Sequence, residues 1–211
     1  MTTFYLLSQP TTLRTLKSEL EAAIPTPADI GTMPLPTLEA LPYLSAIIME
    51  GLRLTYGVSC RLARSDPDNP MIFKACSGPD AGKEWVIPTN TPVGMTNVQL
   101  HHNERIFPSS QTFDPSRFLG PEGKAREKYM VSFCGGSRQC VGINLAQGEL
   151  YLLLSAMWRV WGSKEVRRKD DVGVLELWET GLGDVEIEAD AFLPIQQKGT
   201  KGIRLKVFGV E

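Results

Sequence analysis

No stretch of about 18 apolar residues runs through this chain, so no segment reads as a membrane-spanning helix. The N-terminus lacks the basic, apolar and small-residue succession of a secretory leader. Repeats and low-complexity tracts are absent, which excludes solenoid and disordered classes. Neither sign of charge prevails: 22 basic and 24 acidic residues are dispersed and leave a net −2, which argues against a nucleic-acid partner. Histidine is scarce. His101 and His102 are the two in the chain, and no partner spacing supports a metal, so surface or capping roles are expected. Four cysteines follow neither a disulfide framework nor a zinc spacing, and fit a reducing compartment.

The chain's 211 residues, 42% of them hydrophobic, are enough for one buried core. Hydrophobic periodicity predicts helices over Thr2 to Ser8 and Pro10 to Ile24, the second with Leu13, Leu16 and Leu20 on one face. Pro25 to Pro36 reads as a proline-rich connection. A helix follows from Leu41, with Pro42 in its first turn. Short strands are expected near Arg61–Arg64, Met71–Lys74, Trp85–Ile87 and Val93–Thr96, and one or two helical turns at Asn97–His102. Ile106 to Tyr129 reads as irregular chain. The longest apolar helix is expected over Val141 to Val160, with Leu145, Ala146, Leu150, Leu153, Leu154 and Met157 as its buried stripe. Alternation at Val185–Glu188 and Ile203–Val207 suggests a terminal sheet.

The segment from Phe133 to Gly142 carries the chemistry. Its pattern Phe-x-x-Gly-x-Arg-x-Cys-x-Gly fixes five positions: Phe133, Gly136, Arg138, Cys140 and Gly142. At ordinary residue frequencies a chance match is on the order of one in 10,000 or rarer. A phosphate loop is disfavoured, because no Gly-Lys-Ser/Thr follows. The five residues between Cys134 and Cys140 fit no common zinc site. A structural loop with two buried cysteines is the remaining plain alternative. Upstream, Glu50 and Arg53 lie three apart on one helix face and can pair, in flanks apolar enough to bury them. Between that helix and the loop stands Phe113-Asp114-Pro115-Ser116-Arg117-Phe118.

With these three elements in this order, the chain resembles the cytochrome P450 family, and most closely fungal members related to trichodiene oxygenase. The resemblance implies the C-terminal half of that fold: mainly α with small β-sheets, incomplete, a single partial domain. Within it, 1–36 is the end of the distal-helix region with the following helix and linker, and 37–112 the Glu-x-x-Arg helix and small strands. Residues 113–142 are the meander and cysteine loop, and 143–211 the long helix and terminal strands. The family's usual Pro-Glu-Arg-Phe reads Pro-Ser-Arg-Phe here, with Arg117 in place to close a lock with Glu50 and Arg53.

The implied cofactor is haem b with Cys140 as axial thiolate. A thiolate ligand pushes electron density onto iron and favours O–O cleavage. Cys140 falls where a helix begins, and its positive end favours an anionic sulfur. Gly136 and Gly142 let the backbone approach the porphyrin, and Phe133 shields the sulfur from water. Arg138 is expected on one propionate and Arg64 on another, with Arg61 as the runner-up. Val58, Ser59 and Cys60 are expected to face the distal side, and Thr2 or Thr3 to be remnants of the oxygen-activating helix. The implied function is a monooxygenase that inserts one oxygen atom of dioxygen into a lipophilic organic substrate in secondary metabolism. An electron-donating reductase, NADPH-dependent, would dock on Lys124, Arg126 and Lys128. The alternative is a truncated, inactive haem-binding or interaction fragment. A full-length member belongs on the cytosolic face of the endoplasmic reticulum; this chain as given would be cytoplasmic.

Overall fold

Four helices supply most of the core, and prolines set where two of them start. In the computed structural model, which describes residues 1–209, α1 (Thr2–Ser8) ends two residues before Pro10, and Pro10 opens α2 (Pro10–Ala23). A proline costs nothing there, since its missing N–H would have lacked an intrahelical partner. A 3₁₀ turn (Pro27–Thr32) and α3 (Leu35–Glu39) precede α4 (Pro42–Thr55), which Pro42 opens in the same way. The connection expected over Pro25 to Pro36 is therefore largely helical. Thr26 and Asp29 cap its first turn reciprocally, a local arrangement that proline content concealed.

Leu13, Leu16 and Leu20 are fully buried against Leu44, Ile47 and Ile48 of α4 and against Leu154 and Trp158 of the longest helix. Each such side chain contributes roughly 1.5–3 kcal/mol relative to exposure. Lys17 lies on the same face of α2 and is just as buried, 1% exposed. Its Nζ donates to Trp158 O at 3.0 Å, Trp161 O at 2.8 Å and Asp171 Oδ1 at 2.7 Å, so all three donors are used. Burial pulls the Lys17 pKa down, and the Asp171 carboxylate opposes that shift.

The β structure is sparse. β1 (Met71–Lys74) and β2 (Glu84–Ile87) form an antiparallel hairpin, and α5 (Asn97–His101) follows. The strands expected at Arg61–Arg64 and Val93–Thr96 reduce to one bridge, Arg64 to Val93. The stretch expected to be irregular contains a 3₁₀ turn (Pro115–Phe118) and α6 (Gly120–Glu127). A further 3₁₀ turn (Gly136–Arg138) leads to α7 (Ile143–Val160), which starts two residues later than expected. β3 (Trp161–Gly162) pairs parallel with β4 (Gly173–Leu177). β5 (Ala189–Ala191) and β6 (Leu193–Ile195) make a small hairpin, and β7 (Leu205–Gly209) pairs antiparallel with β4. Val185–Glu188 is not a strand. Leu182–Asp184 forms a 3₁₀ turn instead, and Val185 is buried at 2% exposure.

The stripe expected on α7 is also corrected. Leu154 and Trp158 are buried, whereas Leu145 and Leu153 are 68% and 67% exposed. The helix is apolar on more than one face, so periodicity alone cannot choose the face that meets α2, α3 and α4. Among the described residues no helix is long and apolar enough to cross a membrane.

Asp171→Ala should lower stability by about 3–5 kcal/mol by leaving the Lys17 ammonium unpaired in the core. A urea midpoint unchanged from the parent would contradict that pairing.

Candidate functional site

The buried anchor beneath the cysteine loop is built from α4 and the chain around Pro115. Glu50 and Arg53 sit one turn apart on the inner face of α4, both 0% exposed. Arg53 grips the carboxylate in bidentate fashion, Nε to Oε2 at 2.7 Å and Nη2 to Oε1 at 2.8 Å. Arg117 donates from Nε to Glu50 Oε1 at 3.1 Å, and the Asp114 N–H donates to the same oxygen at 2.9 Å. The remaining guanidinium protons go to main-chain oxygens. Arg53 reaches His101 O at 2.9 Å and Thr112 O at 3.2 Å; Arg117 reaches Ser109 O at 2.9 Å and Pro108 O. One carboxylate and two guanidiniums thus gather the main-chain oxygens of Pro108, Ser109 and Thr112.

His101 is fully buried, which corrects the surface or capping role expected for it. Its Nδ1 lies 2.9 Å from Arg53 O, and its Nε2 accepts from the Val131 N–H at 3.2 Å. Burial lowers its pKa to about 4, and the neighbouring Arg53 and His102 charges add to that shift. His102 does end α5, as a cap should, but its ring also bridges Tyr56 Oη and Ser110 Oγ.

The cysteine loop lies at the surface. The Cys140 N–H donates to Phe133 O at 3.0 Å, which closes the loop, and Gly136 turns left-handed within it at φ +70°. Cys140 and Arg138 are exposed, Phe133 is half-buried, and Val141 is fully exposed. A Cβ on Gly142 would stand 3.8 Å from Cys140 Sγ, while one on Gly136 would meet nothing within 4 Å. Gly142 caps α7, so the thiol stands just before the helix N-terminus.

A cleft of about 320 Å³ lies beside this loop, lined by Val58, Cys60 and Arg64, by Val93 and Met95, and by Val131 and Cys134. Arg64 is at its margin, donating to Ala63 O at 3.0 Å; Arg61 does not line it. Ser59 turns away from the cleft. It is buried, and its Oγ donates to Asp190 Oδ1 at 2.8 Å and its N–H to Phe192 O at 3.1 Å. Sequence reasoning missed this β5–β6 contact, because Asp190 and Phe192 follow a segment misread as a strand. Thr2 lies away from the cleft, so close to α4 that a Cβ on Gly51 would collide with its Oγ1; Thr3 is half-buried on α1. Arg126 is not a free surface cation: it donates to Ile106 O at 3.2 Å and Arg117 O at 3.0 Å. Lys124 and Lys128 are exposed.

Arg53→Ala should cost about 3–5 kcal/mol through the orphaned, buried Glu50, and more than Arg117→Ala, since Arg117 is 8% exposed; urea denaturation of both variants checks the order. The pH dependence follows from His101. Its folded pKa lies below the unfolded value of 6.5, so the unfolded chain binds the extra proton between pH 6.5 and about 4. Stability should be full above pH 6.5 and fall with acidification through that window, with His102 contributing in the same direction. A urea midpoint constant from pH 7 to 4.5 would refute it.

Comparison with known proteins places the chain in a family. The family model described as Cytochrome P450 matches residues 1–172. The cytochrome P450 monooxygenase tpcC of Cochliobolus heterostrophus is 46% identical, over 98% of this chain and 38% of its own. The cytochrome P450 monooxygenase astB of Talaromyces wortmannii is 41% identical, over 92% of this chain and 39% of its own. The tryptophan 6-hydroxylase fscE of Fusarium equiseti is 35% identical, over 97% of this chain and 36% of its own. The chain thus spans well under half the length of these relatives. With a family match over most of its residues, the chain belongs to the cytochrome P450 family.

Proposed function

We propose that Cys140 is the axial ligand of a haem, and that the chain is the proximal, haem-holding part of a monooxygenase. The observation that carries this is the exposed Cys140 thiol at the N-terminal end of α7, between a fully exposed Val141 and an exposed Arg138. An apolar side chain, a thiol and a cation, all exposed within four residues, suit a flat apolar ring with an anionic rim. The bare positions at Gly136 and Gly142 leave room for its approach. Haem, when bound, supplies the activation of dioxygen.

In this proposal each residue has its own task. Cys140, just before the N-terminus of α7, would hold the haem iron through its sulfur. Phe133 keeps water from it, and Arg138 and Arg64 pair with the propionates as charge-assisted donors. Arg64 is favoured over Arg61 because it lines the cleft. Val58 and Cys60 face the same cleft, and would meet a lipophilic substrate of secondary metabolism. Glu50, Arg53 and Arg117 act as the structural lock that keeps the loop in place. Exposed Lys124 and Lys128 offer an acidic reductase a docking point; Arg126, bound to main-chain carbonyls, contributes less.

A second reading rests on the outward apolar residues of α7, Leu145 and Leu153. On that reading the chain holds haem or a partner without turning substrate over.

Cys140→Ser should abolish the red-shifted ferrous–carbonyl Soret band of the haem-loaded chain, and a retained band would refute the ligand assignment. Arg138→Ala should weaken haem binding about tenfold or more, as expected for one hydrogen bond to a charged group. Haem titration with an unchanged midpoint would remove Arg138 from the propionate site.

A further inference from the structure

The C-terminal end of α4 and the chain entering the cysteine loop are joined through side chains. A helix leaves its last four carbonyls without intrahelical partners; in α4 the Tyr56 and Gly57 N–H groups meet Leu52 O and Thr55 O, and side chains from distant segments reach two of the four. Leu52 O accepts from Ser132 Oγ at 3.0 Å, and Arg53 O faces His101 Nδ1 at 2.9 Å. The other nitrogen of the same imidazole accepts from the Val131 N–H at 3.2 Å, while Val131 O accepts from the Cys134 N–H at 2.9 Å. Gly57, at φ +67°, passes so close that a Cβ there would stand 2.9 Å from Ser132 O. Val131 and Ser132 therefore lie against α4, and Phe133 O then closes the loop on the Cys140 N–H.

The partners fix the tautomer. An acceptor at Nε2 requires the proton on Nδ1, where Arg53 O receives it. Arg53 returns the contact, donating from Nη1 to His101 O at 2.9 Å, so the two residues exchange hydrogen bonds.

We propose that His101 is a positioning residue for the cysteine loop. Its neutral imidazole, donating to α4 and accepting from Val131, carries the position of the Glu50–Arg53–Arg117 cluster to the chain that presents Cys140. This inference rests on the proposed role of Cys140 as ligand. Protonation would put a donor at Nε2 against the Val131 N–H and part the contact. The charged and titratable groups around the ring are the Arg53 guanidinium and Tyr56 from the α4 end and His102 from its own helix, with Phe107 edge-on at 6.3 Å. The Arg53 guanidinium disfavours that protonation.

The test compares His101→Phe, which removes both hydrogen bonds, with His101→Gln, whose amide offers one donor and one acceptor. Peptide-resolved amide exchange of the intact chain is read at neutral pH. In His101→Phe, exchange over Val131 to Cys140 should rise about tenfold, the factor for one ordinary hydrogen bond, with α2 unchanged. His101→Gln should restore most of the protection. Unchanged exchange in the loop, an equal rise in α2, or no rescue by glutamine would overturn the proposal. Should His101→Phe fail to fold, imidazole ¹⁵N spectra of the unmodified chain decide: the Nδ1–H tautomer supports the assignment and the Nε2–H tautomer overturns it. None of these readouts needs haem, so they stand or fall separately from the Cys140→Ser spectrum. With haem bound, His101→Phe should lose part of the thiolate-type carbonyl band that His101→Gln keeps.

Discussion

The Glu50 carboxylate is the constraint around which this molecule is arranged. A charge with no solvent contact must be met completely, because leaving it unmatched costs several kcal/mol. Glu50 is met by two guanidiniums and one main-chain amide. Those guanidiniums have donors to spare, and they collect carbonyls from Pro108, Ser109 and Thr112. That stretch lacks a sheet or long helix to satisfy its backbone, and buried polar groups must find partners somewhere. The ion cluster supplies them, so a loop without regular structure gains a defined path.

Local signals carried much of this architecture, and long-range ones did not. The leucine face of α2, the proline starts of α2 and α4, and the three-residue spacing of Glu50 and Arg53 all follow from geometry within one or two turns. The cysteine-loop pattern was legible for the same reason. Lys17 was not, because its partner Asp171 lies 154 residues away and a lysine inside an apolar face reads as an interruption. Arg159 escaped likewise: it is buried at the end of α7, bonded to Ile24 O and Pro25 O and paired with Asp170. His101 read as a surface residue because the carbonyl and the amide that hold it come from two distant segments.

The candidate site divides along the same line. Its cysteine, glycines and arginine are contiguous and could be read in one glance. The cleft beside them is assembled from three separate stretches, and the inward turn of Ser59 depends on a hairpin 131 residues away. Such a contact leaves no trace in periodicity or spacing. The faces of α7 were ambiguous for another reason: apolar residues surround the helix, and only the neighbours that lie against it decide which of them are covered.

The two ends of α7 are held very differently. At Trp158–Trp161 the helix is gripped by Lys17, and Arg159 ties it to the end of α2. At Ile143 it begins in a solvent-facing turn with an outward leucine one helical step on. The helix is thus fastened at its far end by buried charged side chains, whereas its Cys140 end depends on the preceding loop, through the Cys140 N–H to Phe133 O and Ser132 Oγ to Leu52 O.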